Sequence, residues 1–294
     1  MVEFIGIAIT LQSKFEKVLA SKNFHKSQHP IGIFDSGIGG LTVANAICKL
    51  LPNESIVYFG DTAHLPYGDK SPESIRHYSA KITHYLTEQN CKAIVIACNT
   101  ASALGFQTAK DIAGAGIPVI NVVDPAVAYL AQHFKGKRVG IIGTKGTVNS
   151  RIYVNKLSKA DKTMEVAQLA TPLLAPMIEE GFFNNKISKT IINSYLEKKP
   201  LAQIQALVLG CTHYPLIKPE IDSFYKKKVQ VLDTSEIVAK AVEQTLHDQG
   251  LLNETVGKAE KIFCVSDYTK AFEESARYFF DEKINLKEVR LWKE

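Results

Sequence analysis

Five cysteines occur in the 294 residues, and no two of them form a Cys-x-x-Cys pair. An odd, scattered set excludes a disulfide framework and the four-cysteine spacing of a structural zinc site, and it fits a reducing cytoplasm. No apolar run approaches the roughly 20 residues that cross a bilayer, so no membrane partner is expected. The start, "MVEFIGIAITLQSKFEKVLASKNFHKSQHP", lacks the basic head and small-residue cleavage site of a signal peptide. The net charge of +5 is spread over many lysines. Its densest run, Lys226 to Lys228, carries no arginine and reads as a solvated face, so no nucleic-acid partner is expected. The loop "DSGIGG" lacks the spacing of a dinucleotide fingerprint, and no phosphate-binding lysine follows it.

What the chain does have is alternation. Phe4, Ala8, Leu11, Phe15 and Leu19 recur at helical spacing, which predicts an amphipathic helix over residues 4–20 and a linker from Ser21 to Pro30. Beyond Pro30, short apolar runs end in glycine or small polar residues and are followed by helical patterns. "IGIFDSGIGG", "SIVYFGDTAHLPYG", "CKAIVIACNTAS" and "IPVINVV" read as strands entering loops, and "SPESIRHYSAKITHYLTEQN" opens with a helix-start signal. Apolar strands separated by helices predict parallel pairing with both sheet faces covered, an α/β doubly wound architecture. The second half repeats the pattern. "KRVGIIGTKGTVNS" resembles "HPIGIFDSGIGG", and "IQALVLGCTHYP" resembles "CKAIVIACNTAS". In each half a strand ending in Gly, Ser or Thr is followed, about 65 positions on, by a strand ending in cysteine and polar residues. Two similar α/β units with mainly parallel sheets are the simplest reading.

A lone buried cysteine is ordinarily inert, and Cys48, Cys91 and Cys264 keep that reading. Cys98 and Cys211 differ because each follows the carboxyl end of a strand, where open parallel sheets form their sites. Facing units would set these thiols across one cleft. A disulfide does not suit a reducing cytosol. A zinc site from Cys98, Cys211 and His213 lacks a clear fourth ligand. Acid–base chemistry remains: a thiolate takes a proton from one face of a molecule while a thiol delivers one to the other, as inversion at carbon requires. A helix following each cysteine, capped by Asn99 or Thr100 in one case and opened by Pro215 in the other, would lower the thiol pKa. His213 stands two residues from Cys211. Asp35 ends the first strand, where it could assist Cys98 or close the DSGIGG turn, and amides of that loop could hold a carboxylate.

"IGIFDSGIGGL", "GDTAHLPYG", "ACNTAS" and "LGCTHYP", in this order, resemble the signatures of the cofactor-independent glutamate racemases in the aspartate/glutamate racemase superfamily. The likeness runs from about Ile31 to at least Ile237, and "KIFCVSDYTKAFEESARYFF" is similar to the family's C-terminal segment. The resemblance implies Cys98 as the base for D-glutamate and Cys211 for L-glutamate, aided by Asp35 and His213. It implies substrate contacts from Asp35, Ser36, Tyr67, Gly68, Asn99, Thr100, Thr212 and His213, with no cofactor and no metal. Glu179 in "APMIEEGF" matches an acidic assistant, although Thr171–Pro172 stands where many members have Cys-Pro. The implied fold is two α/β domains, 31–123 plus 234–294 and 124–233, after an extension of residues 1–30, with the active site in the cleft between them. A bacterial cytoplasmic enzyme supplying D-glutamate to peptidoglycan follows from the same likeness. A homodimer and a cell-wall-precursor activator stay open. So do a racemase for aspartate or another small acid, and a non-enzymatic thiol or metal-binding protein.

Overall fold

The computed structural model describes residues 26–255, 257 and 259–292. The helix expected over residues 4–20, and the linker as far as residue 25, lie outside the described residues. Ten strands occur among those described: β1 (Ile31–Asp35), β2 (Ile56–Gly60), β3 (Ala93–Ile96), β4 (Val119–Asn121), β5 (Arg138–Gly143), β6 (Glu165–Ala170), β7 (Ala206–Gly210), β8 (Gln230–Leu232), β9 (Lys261–Val265) and β10 (Leu286–Glu288).

They form two sheets, ordered β10-β9-β2-β1-β3-β4 and β6-β5-β7-β8, and every pairing is parallel. The order β2-β1-β3-β4 in one sheet is matched by β6-β5-β7-β8 in the other, so the sequence repeat is a repeat of topology. All residues of β1, β2, β3 and β7 are buried, as central strands covered on both faces must be. The helices lie where local chemistry starts and stops them. Ser71 caps helix Pro72–Glu88 by accepting from the Ser74 amide at 3.2 Å. Gly114, at φ 70°, ends helix Phe106–Ala113.

The chain leaves the first sheet after β4, builds the second, and returns to add β9 and β10 beyond β2. Helix Ser235–Asp248 makes the return and packs chiefly on helix Leu41–Leu50 of the first unit. Among the described residues no helix is long and apolar enough to cross a membrane.

Candidate active site

Each sheet has one place where successive connections diverge. From β1 the chain goes to β2 on one side and to β3 on the other, and from β5 it goes to β6 and β7 in the same way. Ligands of open α/β sheets bind outside the carboxyl ends of strands at such switch points. Phe34 pairs with Ile96, which sets Ser36 level with Cys98. Gly143 pairs with Gly210, which sets Thr144 level with Cys211. The two switch points face one another around a cavity of about 30 Å³ lined by Ser36, Tyr67, Gly68, Cys98, Asn99, Thr100, Glu179, Cys211, Thr212 and His213. Ten of the eleven residues singled out in the sequence line this one space, and the eleventh, Asp35, lies behind it, fully buried.

On one wall, the Asp35 Oδ2 accepts from the amides of Gly37 at 3.1 Å and Gly40 at 3.0 Å, so the carboxylate does close the DSGIGG turn. Its Oδ1 stands 3.4 Å from the Thr212 hydroxyl of the opposite unit. Burial raises the Asp35 pKa, against the His213 cation and the three amides of Gly40, Gly37 and Ser36. Cys98 itself caps helix Asn99–Leu104, its Sγ accepting from the Ala101 amide at 3.4 Å. Neither Asn99 nor Thr100 is the cap, because the strand ends one residue before Ala97 and the helix begins at Asn99. The expected lowering by the helix terminus is overruled. Burial first, and the Asp35 carboxylate second, push the Cys98 thiol up to about 12.

On the other wall, no α-helix follows Cys211 directly. Pro215 sits in a single 3₁₀ turn, Tyr214–Ile217, before helix Lys218–Phe224. The partner of this thiol is a side chain: His213 Nδ1 lies 3.6 Å from the Cys211 Sγ. His213 Nε2 lies 2.8 Å from the Glu179 Oε1, a charge contact whose N–H does not point squarely at the oxygen. Burial alone would pull the imidazolium pKa down. Cys211 and Glu179 together overcome it and hold His213 well above its ordinary value. The walls are therefore unlike. A thiolate at Cys211 has an imidazolium beside it, whereas a thiolate at Cys98 faces a carboxylate.

The walls touch around the cavity. The Thr100 hydroxyl meets that of Thr144 at 2.8 Å, and Lys145 Nζ reaches Asp69 Oδ1 at 3.1 Å. A Cβ on Gly39 would fall 2.4 Å from the His213 Cε1, and one on Gly68 would fall 2.7 Å from the Thr144 Cβ. Both positions need glycine for this close approach. Sequence reasoning missed Thr144 and Tyr153 as parts of the site. Thr144 was marked by its place in the repeat, level with Cys211. Tyr153, whose hydroxyl donates to the Asn99 Oδ1 at 2.7 Å, carried no signal. Cys48, Cys91 and Cys264 are buried away from the cavity. Burial pushes Cys48 up to about 11 and Cys91 up to about 12. Cys98, Cys211 and His213, the set of the zinc alternative, all line the cavity, and among the described residues no group of three or more His, Cys, Asp or Glu is placed to hold a metal ion.

Two topologically equivalent α/β units, each setting a thiol just past a central strand at the rim of one cavity, define the architecture of a racemase family. The Asp/Glu/Hydantoin racemase family model matches residues 41–242, and the chain belongs to that family. It is 41% identical over 258 residues to the glutamate racemase of Chlorobaculum tepidum, spanning 88% of this chain and 94% of that protein. The crystal structure of the Francisella tularensis glutamate racemase in complex with D-glutamate superposes with a TM-score of 0.85 at 38% identity, over 90% of this chain and 99% of that one. The Escherichia coli glutamate racemase, solved with L-glutamate and the activator UDP-MurNAc-ala, superposes with a TM-score of 0.72 at 25% identity, over 89% and 98% of the two chains.

Proposed function

We propose that this chain interconverts L- and D-glutamate by moving protons between two thiols, without a cofactor. The observation that carries the reading is the placement of Cys98 and Cys211 after equivalent strands, on opposite walls of one cavity. In the L to D direction the Cys211 thiolate takes the α-proton, with His213 as its cationic partner. The C–H electron pair stays on the α-carbon and its carboxylate, and the Cys98 thiol delivers a proton to the opposite face. The D to L direction runs in reverse, with Cys98 as the base. Cys98 then needs a cation, and among the described residues none acts on it; the substrate's own α-ammonium fills this need, held against the Asp35 side. Backbone amides and hydroxyls at Ser36, Tyr67–Gly68, Asn99–Thr100 and Thr212 hold the two carboxylates. Glu179 keeps His213 charged.

The division into residues 31–123 with 234–294, and 124–233, is part of the same reading and is supported by the membership of the two sheets. A role in supplying D-glutamate to peptidoglycan in a bacterial cytoplasm follows from the activity. The activator in the Escherichia coli complex supports control by a cell-wall precursor here. A homodimer is compatible with it.

Circular dichroism of L- and D-glutamate, with no cofactor added, tests the activity. Loss of a positioned acid–base group costs about 10²–10⁴ in rate. Cys98→Ala and Cys211→Ala should each stop measurable racemisation in both directions, while Cys48→Ala and Cys264→Ala stay near the parent rate. Equal losses from all four would overturn the assignment.

A further inference from the structure

Asp61, at the exit of β2, is fully buried and lies outside the cavity. Its carboxylate gathers four side chains from three parts of the chain. The Tyr67 hydroxyl donates to Oδ2 at 2.6 Å. The Ser266 hydroxyl donates to Oδ1 at 2.7 Å, and the Trp292 Nε1–H donates to the same oxygen at 2.8 Å. His64 Nδ1 stands 2.9 Å from Oδ2. Ser266 and Trp292 come from the C-terminal segment that rejoins the first sheet. The neighbouring backbone is stitched in the same way: Ala63 donates to the Ser266 Oγ at 2.9 Å, and Asp267 to the Thr62 Oγ1 at 2.9 Å.

The Trp292 ring sits edge-on to His64, with centroids 4.5 Å apart, and to Tyr78 at 5.4 Å. Tyr78 in turn lies 5.5 Å from Tyr67. Tyr67 carries this assembly to the cavity, which it lines together with its loop neighbours Leu65, Pro66 and Gly68. Because the Tyr67 hydroxyl is committed to Asp61, the residue offers the cavity its ring and backbone, and its ring position is set from behind.

We propose that Trp292 and Ser266 are positioning residues that clasp the Tyr67–Gly68 loop against the substrate by holding Asp61. The proposal rests on the glutamate reading of the cavity. A loop that touches substrate equally in the ground and transition states contributes uniform binding, so loosening it raises KM and leaves kcat in place. Trp292→Phe keeps the ring packing and removes the Nε1–H donor. It should raise KM for both enantiomers about fivefold to tenfold, the scale of one lost intramolecular hydrogen bond, with kcat changed less than about twofold. Ser266→Ala removes the second donor and should act in the same direction, and it decides the matter if Trp292→Phe does not fold. Trp292 is the only tryptophan in the chain, so the wild type carries its own reporter. Equilibrated D,L-glutamate should change its emission saturably, and Asp61→Asn should abolish that response. Unchanged KM in both variants, a fall in kcat at constant KM, or emission indifferent to saturating glutamate would overturn the clasp. A wild type inactive on glutamate would instead refute the reading on which it rests.

Discussion

His213 is where the residue scale decides the chemistry. Its imidazole is buried between a thiol and a carboxylate, and burial alone would drive off its proton. Cys211 and Glu179 reverse that outcome and hold the pKa above the ordinary value of about 6.5. The folded protein therefore binds this proton more tightly than the unfolded chain. Its contribution to stability is complete below the unfolded pKa and is lost as pH rises through the folded one. Glu179→Gln removes one of the two groups that raise it. The alkaline limb of kcat/KM should then move to lower pH in both reaction directions, as a pH profile by circular dichroism would record. An alkaline limb that stays in place would mean that Glu179 does not hold His213 in its charged state. The sequence marked Cys98, Cys211, His213 and Asp35 because reactive residue types ended apolar strands twice. It could not show that Cys98 would cap its own helix, since a thiol is a weak acceptor and Asn and Thr beside it are better caps. Nor could it show that burial would outweigh the helix terminus.

At the scale of the element, the loop between β1 and helix Leu41–Leu50 has two tasks. Its amides hold Asp35, and its backbone lies against His213 of the other unit. The second task explains Gly39, where a Cβ would fall 2.5 Å from the His213 Nδ1. Gly39→Ala should push the imidazole off Cys211 and lower kcat/KM about 10²-fold, the effect of a displacement near 1 Å at a reacting group. The fold should remain, with a loss of about 1–3 kcal/mol from overpacking. Steady-state kinetics beside thermal unfolding checks both parts, and a variant of parental activity would contradict the close approach. The central strands were legible in sequence because β1, β2, β3 and β7 are continuous apolar runs. The edge strands β6 and β10 were not. β6 is nowhere fully buried and β10 keeps only Leu286 inside, so neither carries a buried-strand pattern. The clasp residues Ser266 and Trp292 were illegible for another reason. They meet Asp61 only because β9 and β10 join the first sheet more than 200 positions after it, and no local pattern encodes that pairing.

The whole molecule is two copies of one topology turned toward each other, and in the function proposed above each copy brings one base to one face of the same carbon. The two walls leave a cavity of about 30 Å³ between them, room for about one water. The cross-cleft contact between Lys145 and Asp69 does not hold them together, because both side chains are about half exposed and such pairs contribute about 0–1 kcal/mol. Duplication explains why the two walls match in topology, and their different partners explain how one thiol stays protonated while the other is paired with a cation. Conversion of L-glutamate in deuterated water tests this claim most directly. With opposed thiols, Cys211 removes the α-proton and Cys98 delivers a hydrogen already exchanged with solvent. Proton NMR at a few per cent conversion should find deuterium at the α-carbon of the D-product from the first turnovers, while unreacted L-glutamate keeps its protium. Early D-product carrying the substrate's own protium would mean a single base serving both faces, and would contradict the two-walled account.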